Sequence, residues 1–284
     1  MVFINILTNN KLNAENMKIK LFLLGFGLAL SALSCYASDI PDFYFYDCES
    51  KFSNLTGYCQ ESLDVTIKLP KGFKDMALMG HYMQKSKAGT IGGGSSFRAI
   101  AKSADGECIL LIPDEKSEAK SFSLHENDDC HNQIVHDVCW AANGVVSDQS
   151  YLSGKHSQTD MQKYVTEIDA APLNADKAYL ATLPLNNDTL MGKQFISETV
   201  VYMQKSQRIP VKVTLLFTAK GLNDKDKHVD AALKSIAYGD KKDWKYDKAL
   251  DKKAAEKYFA SFYKLAKSND ARTKDGTLLR ILSD

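Results

Sequence analysis

The stretch FRAIAKSADGECILLIPD, Phe97 to Asp114, most narrows what this chain can fold into. Two apolar, partly β-branched runs flank Ser103 to Glu107, where Asp105-Gly106 carries the turn chemistry of a hairpin. A lone hairpin is at best marginal in water, so the pattern demands further strands or a helix against one face. Candidates are present. LDVTIKLP, Leu63 to Pro70, alternates and is stopped by PKGF, and DKAYLATLPL, Asp176 to Leu185, reads as another strand. ISETVVYMQKSQRIPVKVTLLFTAKG, Ile196 to Gly221, reads as a second hairpin turning near Lys205 to Arg208.

Helices follow the strands. In NDKDKHVDAALKSIAYGD, Asn223 to Asp240, Val229, Leu233 and Ile236 recur at helical spacing before Gly239. From Asp243 to Lys267, Leu250, Ala254, Tyr258 and Phe262 stand four apart and predict a second amphipathic helix. The expected fold class is therefore α+β: an antiparallel sheet of hairpins with helices covering one face, and an extra C-terminal amphipathic helix. A strand ending in IKLPKGF, a run of hairpins and a helix ending LKSIAY resemble the PsbP-like α/β/α sandwich over residues 63 to 240. That resemblance implies an accessory or binding module. The insertion around HENDDC and the added terminal helix depart from it.

MKIKLFLLGFGLALSALSCYA, Met17 to Ala37, has the form of a secretory signal peptide. Lys18 and Lys20 form its cationic start, and Leu21 to Leu33 is an apolar run too short to span a bilayer. Cleavage after Ala37 competes with processing before Cys35 as a lipoprotein, with lipidation of that cysteine. Four segments are expected: an upstream extension and signal over 1–37, a disulfide-tied N-terminal segment over 38–62, an α+β domain over 63–240, and a C-terminal helix and tail over 241–284. Periplasmic or secreted location follows, with an outer-membrane lipoprotein as the alternative.

Export places the remaining cysteines, Cys48, Cys59, Cys108, Cys130 and Cys139, where disulfides persist. The odd number leaves one thiol over, and spacing does not set the connectivity. Cys48 and Cys59 close a short polar loop and are the first candidate pair. Cys108 falls on the second strand of the opening hairpin and reads as a buried small hydrophobe.

Little else carries chemistry. GTIGGGSS, Gly89 to Ser96, lacks the Lys-Ser/Thr of a phosphate loop and has Phe97 where a dinucleotide fingerprint needs glycine, so it reads as a mobile loop. Ser95 and Ser96 do not form a G-x-S-x-G elbow, and His81, His156 and His228 stand isolated. The formal charge of +1 leaves no global field for nucleic acid. Asp240 to Lys267 holds nine lysines against five acids, with aromatics between them. That reads as inward-packing rings and solvated lysines, with an anionic membrane surface as the other reading.

HENDDCHNQIVHDVC, His125 to Cys139, concentrates three of the six histidines. Asp129 where a zincin needs histidine removes the metalloprotease motif. A helix capped at Asp129 and running to Asn143 would align Ile134, Val135, Val138 and Ala142 toward a core. It would separate Cys130 from Cys139 by ~13 Å, beyond disulfide reach. His131 and His136, five apart, miss a common face, while His136 and Cys139 share one. A low-ranked metal set is then His125, His131, His136 and Cys139, with zinc as its ion. The expected function is an exported, non-catalytic binding or accessory protein of the periplasm or cell envelope, with no cofactor. Its partner would be an envelope protein or small ligand, not nucleic acid, and a membrane only through Cys35 or the basic helix. The alternative is a metal- or thiol-dependent envelope enzyme centred on His125 to Cys139.

Overall fold

The computed structural model describes residues 43–85, 91–113, 130–143 and 158–267. The expected signal segment Met17 to Ala37 with Cys35, together with His125, His156 and residues beyond 267, lies outside the described residues. Residues 42 to 284 group as one compact unit.

The expected hairpin forms from β5 (Ile91–Ser103) and β6 (Cys108–Pro113), with Ala101 opposite Leu110. Its turn is built by side chains. The Ser103 hydroxyl donates to Asp105 at 2.5 Å and accepts from the Cys108 N–H at 2.9 Å, while Gly106 takes φ +70°. Only glycine adopts that conformation without strain.

Around it lie β1 (Phe43–Phe45), β2 (Val65–Ile67), β3 (Phe73–Asp75), β4 (Gly80–Lys85), β7 (Val165–Glu167), β8 (Lys177–Leu190), β9 (Lys193–Gln204), β10 (Val211–Phe217) and β11 (Ile236–Tyr238). Nine strands form one sheet in the order β1-β4-β5-β6-β10-β9-β8-β7, with β3 also on β5, and every pairing is antiparallel. Strands β11 and β2 make a separate pair. The second hairpin, β9 to β10, turns at Lys205 to Arg208 as its sequence predicts.

Two expectations fail in instructive ways. Ile91 to Ser96 is strand, not loop: Gln84 pairs with Gly93 and Tyr82 with Ser95, so backbone pairing to β4 overrides the glycines' freedom. The helix expected to end before Gly239 stops at Leu233, and Ile236 is instead paired to Ile67. Gly239 is required there, since a Cβ would overlap the Asp64 carboxylate.

The main core lies on one face. Val211, Val213, Leu215 and Phe217 of β10 join Val201 and Met203 of β9, under α1 (Phe52–Tyr58) and the π-turn Cys59–Leu63. The other helices of this face, α4 (Lys225–Leu233) and α5 (Lys248–Tyr258), add Val229, Ala232, Ala254 and Ala255. Alternate residues of β9, Val200 and Tyr202, point the other way and meet Ile134, Val138 and Ala141 of α2 (Cys130–Asn143), beside α3 (Gln158–Tyr164). Helices therefore cover both faces rather than one. On this second face β8 approaches β4 across the sheet, so the strands curl around an apolar cluster of Phe97, Ile100, Leu111, Leu185, Phe195 and Leu216.

The C-terminal amphipathic helix exists but is split into α5 and α6 (Ala260–Lys267), and its inward face is wider than the predicted stripe: Ala254 is buried and Tyr258 and Phe262 pack partly buried against the core. Leu250 is 38% exposed, whereas Asp251, Ala255 and Phe259 face inward.

Candidate functional site

The curled face carries charge where a sheet face usually carries aliphatic residues. Register places Lys212 opposite Tyr202, Thr214 opposite Val200, and Leu216 opposite Glu198 on β10 and β9. Side chains two apart share a face, so Lys212 and Thr214 lie on the side of Glu198, Val200 and Tyr202. Lys212 and the Glu198 row are four residues apart, ~13 Å along the strands. Lys212 enters from one end and Glu198 from the other, with Thr214 between them. Tyr82, Phe97 and Leu111 complete a shallow recess, open to solvent, whose enclosed space is about 20 Å³, room for one water molecule.

Both charges are withdrawn from water. Glu198 is 3% exposed. The Lys212 and Asp137 side chains are 13% and 14% exposed, and the ammonium donates to Asp137 Oδ2 at 2.7 Å. Tyr202 OH donates to the same oxygen at 2.7 Å, and the Lys212 ammonium lies 5.9 Å from the Tyr202 ring centroid. Asp137 comes from α2, the helix of the HENDDCHNQIVHDVC segment. That stretch meets the recess through the contact of Asp137 with Lys212.

Of the expected metal residues, His125 lies outside the described residues. His131 and His136 sit on α2 by backbone, with side chains outside the description, and Cys139 is buried at 3%. Among the described residues, no three His, Cys, Asp or Glu side chains group as a metal site.

The helix runs unbroken from Cys130 to Asn143, which excludes a bond between those two cysteines: nine positions span ~13 Å of axis. The predicted stripe holds at Ile134 and Val138, Val135 is half-buried, and Ala142's side chain is outside the description. Cys130 packs with Ile134 and Val138, Cys48 with Tyr46 and Met79, and Cys59 with Tyr58 in the main core. Cys108 is fully buried, and burial, then the nearby Asp105 carboxylate, pushes its thiol well above the usual range. A thiol so held is not a nucleophile.

A second polar group sits at the other end of the hairpin. Lys193 donates to Glu107 at 2.7 Å and the Thr218 hydroxyl does so at 2.6 Å, holding that carboxyl below its ordinary value. His228, 6% exposed, packs edge-on to Phe73, with Nε2 4.0 Å from Asp105. These contacts join the β5–β6 turn to β9, β10 and α4 and define no cleft. His81 stacks on Tyr44 with centroids 5.2 Å apart and meets the Ser96 hydroxyl at 3.2 Å.

The recess residues were missed in the sequence because their pattern is that of ordinary strands. The one available signal was the charge inside two apolar runs, Glu198 in ISETVVYM and Lys212 in PVKVTLLF. The fold and recess together define an α+β protein with a curled antiparallel sheet and a charged cleft on its concave side. No protein-family model, curated protein or solved structure matches the chain.

Proposed function

We propose that this chain is an exported, non-catalytic binding or accessory protein of the periplasm or cell envelope, whose ligand occupies the recess on the curled face of the sheet. One observation carries the reading. Glu198 and Lys212, nearly removed from water, stand at opposite ends of a shallow recess, with Thr214 between them and Tyr82, Phe97 and Leu111 along its walls. Burying such groups costs free energy that apolar residues at the same positions would not incur, and a recess that gathers them supports a recognition role. The signal-like segment Met17 to Ala37 supports the compartment.

The test uses the full chain expressed with its leader, recovered from the periplasmic fraction. A panel of amines, amino acids, short carboxylates and sugars is screened by thermal shift, with Thr214→Leu as the variant that fills the recess. At least one class should raise the melting temperature of the wild type and not of the variant. Retention in the cytosol would overturn the exported reading. A panel without effect, or one acting equally on Thr214→Leu, would overturn the recess. Stoichiometric zinc in the purified protein would instead favour the metal-dependent alternative around Cys139.

A further inference from the structure

We infer that His228 and Asp105 form a proton-operated fastener: the protonated imidazole closes on the carboxylate and ties α4 to the β5–β6 turn, and the neutral ring leaves the two apart. It is independent of the recess. The observation behind it is an unmet buried group. The His228 side chain is 8% exposed, and its Nε2 is buried without a hydrogen-bond partner among the described residues. In either neutral tautomer this nitrogen is a donor or an acceptor left unsatisfied, which costs free energy.

A partner stands just out of reach. Asp105 Oδ2 lies 4.0 Å from Nε2, beyond hydrogen-bond range. The carboxylate is anchored by its other oxygen, since Oδ1 accepts from the Ser103 hydroxyl at 2.5 Å and from the Glu107 N–H at 3.0 Å. Oδ2 is therefore the oxygen that can swing, and an approach of about 1 Å makes a charge-assisted bond. Burial raises the Asp105 carboxyl, but those two bonds and the nearby imidazole outweigh it and hold the group below its ordinary value. Asp105 thus stays charged while a histidine titrates. Its side chain is 41% exposed, which gives the proton a route from solvent.

Among the described residues, Asp105 is the acid that comes within 4.0 Å of the imidazole. The turn's other acid, Glu107, is held by Lys193 of β9 at 2.7 Å and by the Thr218 hydroxyl, with Lys220 4.0 Å away. Lys193 also donates to the Asp105 carbonyl at 3.4 Å. β3 and β10 present uncharged rings, Phe73 at 5.6 Å and Phe217 at 6.3 Å between centroids, with Lys74 of β3 paired across to Lys102 of β5. Along the chain the charged neighbours are Asp224, Lys225, Asp226, Lys227 and Asp230, all exposed except Lys225, which is half-buried.

The test is a double-mutant cycle on the full chain, with Asp105→Asn keeping the Oδ1 acceptor and His228→Leu removing the proton site. Measurements at pH 5 and pH 8 straddle the ordinary histidine value of about 6.5. At pH 5 the unfolding constant should show a His228–Asp105 coupling of ~10-fold, the scale of one hydrogen bond to a charged group, and at pH 8 none. The sign follows because the bond needs the imidazolium: its contribution is full in acid and is lost as pH rises through the protonation of His228. His81 is common to all four chains and cancels. Coupling that is equal at both pH values, or absent at pH 5, would overturn the fastener. If either variant does not fold, structures of the wild type at the two pH values decide the matter alone. Nε2 within ~3 Å of Asp105 Oδ2 at pH 5 and apart at pH 8 is the expected result, and an unchanged separation overturns it.

Discussion

His81 shows how burial turns a single side chain into a pH response. Its ring is stacked on Tyr44 and partly removed from water, and that burial lowers its pKa from the usual 6.5. The fold therefore prefers the neutral ring, while the unfolded chain takes up the proton first. The sign follows: stability is whole above about pH 6.5 and falls as pH drops from there toward the lowered folded value. The slope contributed by this residue has a ceiling of ~1.4 kcal/mol per pH unit. His81→Phe keeps the stacking and removes the titration. Denaturant midpoints between pH 7 and 5 should decline in the wild type and decline less in the variant. Parallel pH profiles would assign the decline elsewhere.

At the scale of elements, most of the fold was legible where local pattern and tertiary pairing agree. Asp105-Gly106 predicted the β5–β6 turn, and Lys205 to Arg208 the β9–β10 turn, because turn chemistry is local. α2 was legible as well, from Cys130 to Asn143. Where a distant partner decides, the pattern misled. Ile236 fits a helical stripe equally well, and only β2 makes it a strand. The glycines from Gly92 to Gly94 read as loop until β4 supplies a hydrogen-bonding edge. The recess was least legible, since no local rule brings Asp137, Glu198, Lys212 and Tyr82 together.

The C-terminal element illustrates both cases. The Asp247 carboxylate caps α5, accepting from the Ala249 N–H at 2.8 Å and the Leu250 N–H at 3.1 Å. A Ser/Thr/Asp/Asn cap is readable from sequence, and so is buried Ala254, whereas the burial of Asp251 and the exposure of Leu250 are not, because an aspartate looks solvent-facing and a leucine core-facing. Asp247→Ala should cost about 1 kcal/mol, read as a lower denaturant midpoint with unchanged slope. An unchanged midpoint would mean that tertiary packing alone holds the helix start.

For the whole molecule, the terminal helices are part of the core rather than an appendage. Asp251, 2% exposed, accepts from Tyr58 OH at 2.7 Å, Ser62 Oγ at 2.8 Å and Tyr246 OH at 2.9 Å, tying α5 to α1 and the π-turn. The Arg98 guanidinium from β5 packs against both the Tyr58 and Phe259 rings, 4.8 and 4.5 Å from their centroids, where those two rings meet edge to face. One residue, Phe259, thus joins the sheet, the N-terminal helix and the chain's last described segment. Its ring is 1% exposed, so Phe259→Ala should cost about 3–5 kcal/mol through lost burial and the cavity left behind. The same substitution tests the connectivity. If α5 and α6 belong to the cooperative unit, the fluorescence of Trp244, isolated by Trp140→Phe, and the far-ultraviolet signal of the sheet shift together to a lower midpoint. If the helices merely lean on the sheet, the Trp244 signal moves alone, and the strands unfold where they did before.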